Sequence, residues 1–349
     1  MRDPSIASVA VLDAREICSG DTGRNGGRID CTAVQDFGKY RRLFGRESAI
    51  RIVRFELVHL QAVKSLVESL DREILRESEL REVDAITTIF EDVKVLDFKK
   101  MLRDFEDTFP DLKGPWGMIG RDESSMTLVG RAGVAWPYRI WTGIFEYLKS
   151  KNPDRFFIET KTPALSLKRE SASDYPYMLT TPRGVVRAKH VVHCTEGHAA
   201  HLLPLLKGIL VPRRGQMTVQ NPGHGFPQAS DHSWSFIVQG GLDYATQNPH
   251  SGEIFVGGGE SNGKSHVLGI SSDADEDVAA LSHQGGVLPA TFGVQQWGHE
   301  LPGKPRIKAS WTGILCNSLD HVPLVGLVLS SSWRDLLAAP SLPNGSPPV

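Results

Sequence analysis

The sequence has no long hydrophobic run and no secretory start. A transmembrane helix needs about 20 consecutive apolar residues, and no segment of the 349 residues approaches that length. Residues 1–13 lack the basic beginning and the apolar stretch of a signal peptide. We therefore expect no membrane association and a cytoplasmic protein, with organelles left open.

Cysteine and net charge are also scarce. The four cysteines form no C-x-x-C pair, so we expect reduced thiols rather than a disulfide or zinc framework. Lys and Arg number 39 against 41 Asp and Glu, a net charge of −2, whereas a nucleic-acid partner needs a basic face. We expect no nucleic-acid partner.

Glycine is the residue in excess, with 34 of 349 positions against about 7% in average usage. A dense group of glycines, residues 19–27, follows the apolar run VAVL and Asp13. An apolar run of this kind predicts a buried strand of a parallel sheet. An acid at the end of such a strand can bind ribose hydroxyls in a dinucleotide fold, although a turn or helix-cap role is the alternative.

Consecutive glycines let backbone N–H groups converge on an anion, and Arg24 adds a positive charge to residues 19–27. A flexible loop is the alternative for this segment. His190, His193, His198 and His201 invite a metal site, but on a strand the first two would point to opposite faces. We therefore predict no metal.

Hydrophobic periodicity predicts an α/β protein with an antiparallel-rich second module. Helices are predicted at residues 46–70, 93–109, 137–149 and 199–206. Strands are predicted at residues 9–12, 84–90, 156–159, 164–167, 177–181, 185–188, 190–194, 209–219 and 253–258. Residues 261–286 are expected to form a surface excursion with an acidic patch at 273–277, and residues 340–349 a disordered tail.

Seven segments, in chain order, resemble the FAD-dependent oxidoreductases of the D-amino-acid oxidase type, which include sarcosine and glycine oxidases. The longest is VAVLDAREICSGDTGRNGG at residues 9–27, where that family has its ribose-binding acid and a glycine-rich run past the pyrophosphate and flavin. The others are 131–142 (RAGVAWPYRIWT), 162–164 (TPA), 190–197 (HVVHCTEG), 212–216 (PRRGQ), 254–259 (IFVGGG) and 311–326 (WTGILCNSLDHVPLVG).

The resemblance implies non-covalent FAD and oxidation of a C–N bond in a small amino acid or secondary amine. Hydride would pass to the flavin and an imine would form, with oxygen or another acceptor taking the electrons. It implies no catalytic side chain, because a neutral amine can transfer hydride directly. The implied cofactor residues are Asp13 for the ribose, Thr22, Arg24, Asn25 and Gly26 for the pyrophosphate and ring edge, Ala164 for the adenine, and Thr195 with Gly197 near the dinucleotide.

The resemblance also implies an interleaved arrangement of an incomplete Rossmann-type FAD-binding domain and a second α+β domain. The first would comprise residues 1–82, 137–207 and 307–339, and the second residues 83–136 and 208–306. The family's G-x-G-x-x-G is missing, since only twelve residues precede Asp13, and no G-x-x-G follows residue 326. We therefore expect a truncated member of the family. The alternative is an inactive remnant that binds FAD weakly or not at all.

Overall fold

The computed structural model describes residues 7–30, 32–90, 92–114, 116–120, 126–170, 173–227, 231–238, 241–259, 267–320 and 322–328. Five helices lie in these ranges: α1 (Ala33–Leu70), α2 (Arg72–Glu77), α3 (Asp92–Thr108), α4 (Pro137–Lys151) and α5 (Val278–Trp297). The strands are β1 (Val9–Leu12), β2 (Arg28–Ile29), β3 (Arg81–Ile89), β4 (Gly117–Gly120), β5 (Met126–Val134), β6 (Phe156–Glu159), β7 (Ser166–Arg169), β8 (Tyr177–Thr181), β9 (Gly184–Ala188), β10 (Leu210–Gln220), β11 (His232–Val238), β12 (Gly241–Gln247), β13 (Ile254–Gly258) and β14 (Ile307–Ser318).

A nine-stranded sheet forms the centre of the described structure. Its order is β14-β10-β13-β12-β11-β3-β5-β2, and β4 also pairs with β5. Every neighbouring pair is antiparallel except β3 and β11. Helix α5 covers one face, where Val287 and Leu288 pack with Phe236 and Val256. A three-stranded antiparallel sheet, β7-β8-β9, lies apart from it, and the mixed α/β class with an antiparallel-rich sheet is confirmed.

Strand β1 pairs in parallel with β6, from Val9 opposite Phe156 to Leu12 opposite Glu159. The parallel pairing is as expected, but the expected burial is wrong, because Ala10 is exposed and Val9, Val11 and Leu12 are only half-buried. In the described part of the chain β6 is the only strand partner of β1. Strand β1 therefore belongs to a two-stranded sheet in the described structure and not to the interior of a larger parallel sheet.

Helix α1 includes the predicted helix at residues 46–70 and extends it toward the N-terminus. The helix bends at Gly45, whose φ of 79° is non-helical and is readily available to glycine. The part before the bend buries Phe37 against Phe105 and Phe109, with ring centroids 6.3 and 5.2 Å apart. These contacts fix α1 on α3, which closely matches the helix predicted at residues 93–109.

Three sequence predictions in the second half of the chain are wrong. Residues 190–194 form no strand and leave Val192 83% exposed. Residues 199–206 lie in two 3₁₀ segments, Glu196–His201 and Pro204–Leu206, because Pro204 has no N–H to continue an α-helix. The predicted excursion at 261–286 becomes α5 from Val278 onward, and the Asp277 carboxylate caps it by accepting from the N–H groups of Ala279 and Ala280.

The remaining strand predictions hold, and only β6 and β8 have the predicted ends. Strand β7 begins at Ser166 rather than at residue 164, and the other confirmed strands are β3, β6, β8, β9, β10 and β13. The expected tail at residues 340–349 lies outside the described residues. No helix in the described ranges is long and apolar enough to cross a membrane. The division into two interleaved domains stays a prediction.

Candidate functional site

The glycine-rich segment, residues 19–27, lies against one face of the nine-stranded sheet. Its centre is a 3₁₀ turn at Asp21–Gly23. Two side chains of the sheet hold its backbone: the Trp311 indole Nε1–H donates to the Arg24 carbonyl at 2.6 Å, and the Thr246 hydroxyl donates to the Gly26 carbonyl at 2.9 Å. The segment is therefore fixed by β14 and β12, and it is not the flexible loop that its glycines also allowed.

The Arg24 side chain contacts three groups of the protein. Its Nε donates to the Ser19 carbonyl at 2.9 Å and its Nη1 to the Thr312 carbonyl at 2.8 Å. Nη1 also lies 3.3 Å from an Asp273 carboxylate oxygen, and Arg15 Nη1 lies 2.9 Å from the same oxygen. The charge of Arg24 is thus neutralised by Asp273, a residue of the acidic patch.

Burial alone would raise the pKa of Asp273, but the hydrogen bond and charge of Arg15 and the charge of Arg24 lower it on balance. The Asp273 carbonyl also accepts from the Thr312 hydroxyl at 2.9 Å. The expectation that residues 273–277 belong to a polar surface segment missed this contact. Asp273, one residue of the acidic patch, is therefore a partner of the glycine-rich segment through Arg24.

Asn25 and the two glycines after it shape the turn. The Asn25 side-chain amide donates to the Asp21 carbonyl at 3.0 Å, and its oxygen accepts from the Gly27 N–H at 2.8 Å. A Cβ on Gly26 would lie 3.2 Å from the Tyr244 ring and 3.3 Å from the Met217 methyl. A side chain at position 26 would therefore crowd Tyr244 and Met217, and glycine avoids this contact.

Two cavities border this segment and share Arg24 and Asn25. The first, about 310 Å³, is lined by Thr22, Gly23, Arg24, Asn25, Gly26, Gly27, Glu79, Arg81, Val134, Ala135, Trp136, Pro137, Thr246, Gln247, Asn248, Phe255 and Trp311. The second, about 280 Å³, is lined by Asp21, Arg24, Asn25, Arg213, Gly215, Gln216, Met217, Leu242, Tyr244, Gly258, Gly313 and Leu315. Ligand pockets span roughly 300–1,000 Å³, so the first cavity lies at the lower end of that range and the second just below it.

The structure brings four of the eight proposed cofactor residues to the first cavity: Thr22, Arg24, Asn25 and Gly26. Asp13 follows β1, where its N–H donates to the Glu159 carbonyl at 3.0 Å and its carbonyl accepts from the Thr162 N–H at 2.8 Å. Its carboxylate accepts from the Arg15 N–H at 2.9 Å. Asp13 is half-buried and lines neither cavity.

The other three proposed residues also lie outside both cavities. The Ala164 carbonyl is 3.1 Å from the His201 ring Nε2. Thr195 precedes the 3₁₀ segment Glu196–His201. Gly197 is buried, and a Cβ there would lie 3.2 Å from Pro212 Cβ and from the Leu315 carbonyl. The backbone roles of Ala164, Thr195 and Gly197 toward a dinucleotide stay predictions.

Two carboxyl groups near the second cavity have raised pKa values. Burial raises the pKa of Asp21 to about 6. Burial and the Asp21 charge raise the pKa of Glu196 to about 7, although a hydrogen bond from the Cys316 backbone acts to lower it. Sequence reasoning missed both groups, because a burial of this kind has no local signal. Among the described residues no group of three His, Cys, Asp or Glu side chains could hold a metal ion.

No protein-family model matches the chain, and no curated protein does. Glycine oxidase from Geobacillus kaustophilus has a similar fold, with a TM-score of 0.63 at 14% identity over 91% of this chain and 79% of that one. L-amino acid deaminase from Proteus vulgaris, lacking its specific insertion sequence, has a TM-score of 0.63 at 12% identity over 92% of this chain and 75% of that one. Iminodiacetate oxidase from Chelativorans sp. BNC1 has a TM-score of 0.62 at 13% identity over 90% of this chain and 78% of that one. The fold is therefore shared with oxidases and a deaminase named for amino compounds.

Proposed function

We propose that this chain is an FAD-dependent oxidoreductase that oxidises a C–N bond of a small amino acid or secondary amine. The observation that carries the proposal is the first cavity. Four residues expected beside the cofactor line it together with Trp136, Phe255 and Trp311, in a fold shared with enzymes named for glycine and iminodiacetate oxidation. A fold alone would not assign the reaction, so the site carries the argument.

The residues present fit a dinucleotide in two respects. Asp13 stands with a half-buried carboxylate at the end of a parallel strand, the place where such an acid meets ribose hydroxyls. The Ser19 hydroxyl, in the glycine-rich segment, is buried without a hydrogen-bond partner in the described structure. A buried hydroxyl of this kind is costly, and a ligand oxygen would satisfy it.

Bound FAD would supply the acceptor for a hydride from the carbon next to the substrate nitrogen. The chain would position the substrate and exclude water, because the rings of Trp136, Phe255 and Trp311 line the first cavity. Glu79 also lines this cavity, but its carboxylate accepts from the Asn248 amide at 3.0 Å and lies 3.9 Å from Arg139. Since that carboxylate is already engaged, we assign no catalytic side chain.

A titration of the purified protein with FAD, followed by flavin fluorescence, tests the cofactor. We expect saturable quenching that Asp13→Ala weakens and that Asp154→Ala, the same change at an exposed acid, leaves unaltered. Quenching that saturates equally in Asp13→Ala would remove the ribose role of Asp13. A protein that shows no saturable quenching would refute the FAD proposal and support the alternative of a chain without redox activity.

The reaction is tested separately with the FAD-loaded protein. Anaerobic mixing with glycine, N-methylglycine and larger amino acids should bleach the flavin absorbance for at least one of them, and admission of oxygen should restore it if oxygen is the acceptor. A reoxidation that requires an artificial acceptor would make the protein a dehydrogenase. A loaded protein that none of these amines reduces would contradict the proposed reaction.

A further inference from the structure

The part of α1 that follows the bend at Gly45 has an apolar stripe on its solvent side. Phe55 is 63% exposed, Val58 55% and Leu66 45%, and Ala62 between them is exposed as well. Successive members of the stripe are three or four residues apart, the spacing at which side chains of a helix share one face. Exposed apolar residues that are contiguous in this way mark an interaction surface, whereas single ones do not.

The sizes of the side chains along this stripe suit a second copy of it that runs in the opposite direction. Phe55 and Ser69 lie equally far before and after Ala62 in the sequence, and so do Val58 and Leu66. In an antiparallel pair centred on Ala62, the large Phe55 would meet the small Ser69, and Val58 would meet Leu66. A parallel pair would instead place each residue against its own copy, with Phe55 against Phe55. The antiparallel arrangement therefore packs better.

The two ends of the stripe carry opposite net charges. Residues 46–54 contain three arginines and one glutamate, whereas residues 68–73 contain three acids and one arginine. All of these charged residues are exposed. An antiparallel copy brings the positive end of one stripe beside the negative end of the other, and complementary charges of this kind fix the register of an interface. A partner surface of a single charge sign would match only one end.

We propose that the exposed face of residues 51–69 is a dimer interface, at which a second copy of this chain packs antiparallel with a twofold axis near Ala62. In a twofold dimer the same patch serves both copies, so the patch must match itself in shape and in charge. The stripe does both, since its large side chains meet small ones and its positive end meets the negative end. The dimer does not depend on the proposed reaction.

Sedimentation velocity of the purified chain at about 1 to 100 µM, the range of weak to moderate dissociation constants, measures the dimer. We expect a shift from monomer to dimer as the concentration rises. Val58→Glu would bury a carboxylate without a partner and should raise the dissociation constant of the dimer by about tenfold or more. Val185→Glu is the matched control, because Val185 is also 55% exposed but lies on β9. It should leave the dissociation constant unaltered.

An exchange of charges tests the antiparallel direction. Arg51→Glu should weaken the dimer, and Glu68→Arg in the same chain should restore it, because opposite charges then meet again across the interface. The two positions lie about 25 Å apart along one helix at 1.5 Å per residue, so no contact within a single chain can explain a rescue.

A chain that stays monomeric over the whole concentration range would overturn the proposal and leave the stripe to a different partner. So would a dimer that Val58→Glu leaves as stable as Val185→Glu does. A loss in Arg51→Glu that Glu68→Arg does not reverse would overturn the antiparallel arrangement, and with it the proposed interface.

Discussion

Gly27 offers the sharpest test of how the glycine-rich segment is held. Its φ is +70°, and a Cβ there would lie 1.9 Å from the Ala135 carbonyl oxygen and 3.3 Å from Pro137 Cδ. The Gly27 carbonyl accepts from the Ala135 N–H at 2.9 Å, so the two backbones cannot separate without losing that bond. Gly27→Ala should therefore force the segment away from the start of α4.

The cost has two parts. A left-handed conformation costs an ordinary residue about 1–2 kcal/mol, and crowding against fixed neighbours costs about 1–3 kcal/mol. We expect Gly27→Ala to lower the free energy of unfolding by about 2–5 kcal/mol in all. Urea unfolding, followed by far-ultraviolet circular dichroism and by tryptophan fluorescence, measures the loss as a lower midpoint.

Gly38→Ala is the control, because Gly38 lies inside α1 and a Cβ there would meet nothing within 4 Å. This change should raise the free energy of unfolding by about 0.5–1 kcal/mol, the cost of glycine in a helix. A midpoint for Gly27→Ala equal to or above that of the unmodified protein would show that the segment does not approach Ala135 as described.

Two further predictions concern acids beside the same segment. Asp273→Asn should lower the free energy of unfolding by roughly 1 kcal/mol near pH 7, because Arg15 and Arg24 lose a charged partner in a contact that solvent partly screens. The folded pKa of Asp273 is lowered, so its contribution to stability is present above the unfolded pKa near 3.8 and is lost as the pH falls through the folded value. The gap between the unfolding midpoints of the variant and the unmodified protein should therefore close below pH 4. A gap that is constant from pH 7 to 3 would contradict the ion pair. Asp21→Asn should have the opposite pH dependence, because burial raises the folded pKa of Asp21 to about 6. The unmodified protein therefore loses stability as the pH rises from about 4 to 6, and the stability of the variant relative to it should increase over that range. Parallel midpoint curves for the two proteins would refute the burial of Asp21.

Local pattern was enough to predict much of the fold. The start of α4 at Pro137 and the strand at residues 156–159 are encoded by a proline that suits a first turn and by a short apolar run. The failure at residues 190–194 has a long-range cause. An apolar run becomes a strand only where a neighbouring strand accepts its hydrogen bonds, and in the described structure this run has none.

The candidate site divides in the same way. Residues 22–26 could be predicted, because the glycines and Arg24 are adjacent in sequence and their chemistry can be read from the segment itself. The contacts of Asp273 with Arg24 and of Arg81 with the cavity join positions that are far apart along the chain. No local pattern at Arg81 sets it apart from other arginines, and only the folded structure shows that it lines the first cavity.

The glycine-rich segment is held by the protein's own groups, which affects how a ligand would bind. Trp311 and Thr246 fix its carbonyls, and Asn25 fixes its turn. Ordering a mobile loop on binding would cost affinity, whereas here the wall of the first cavity exists before any ligand arrives.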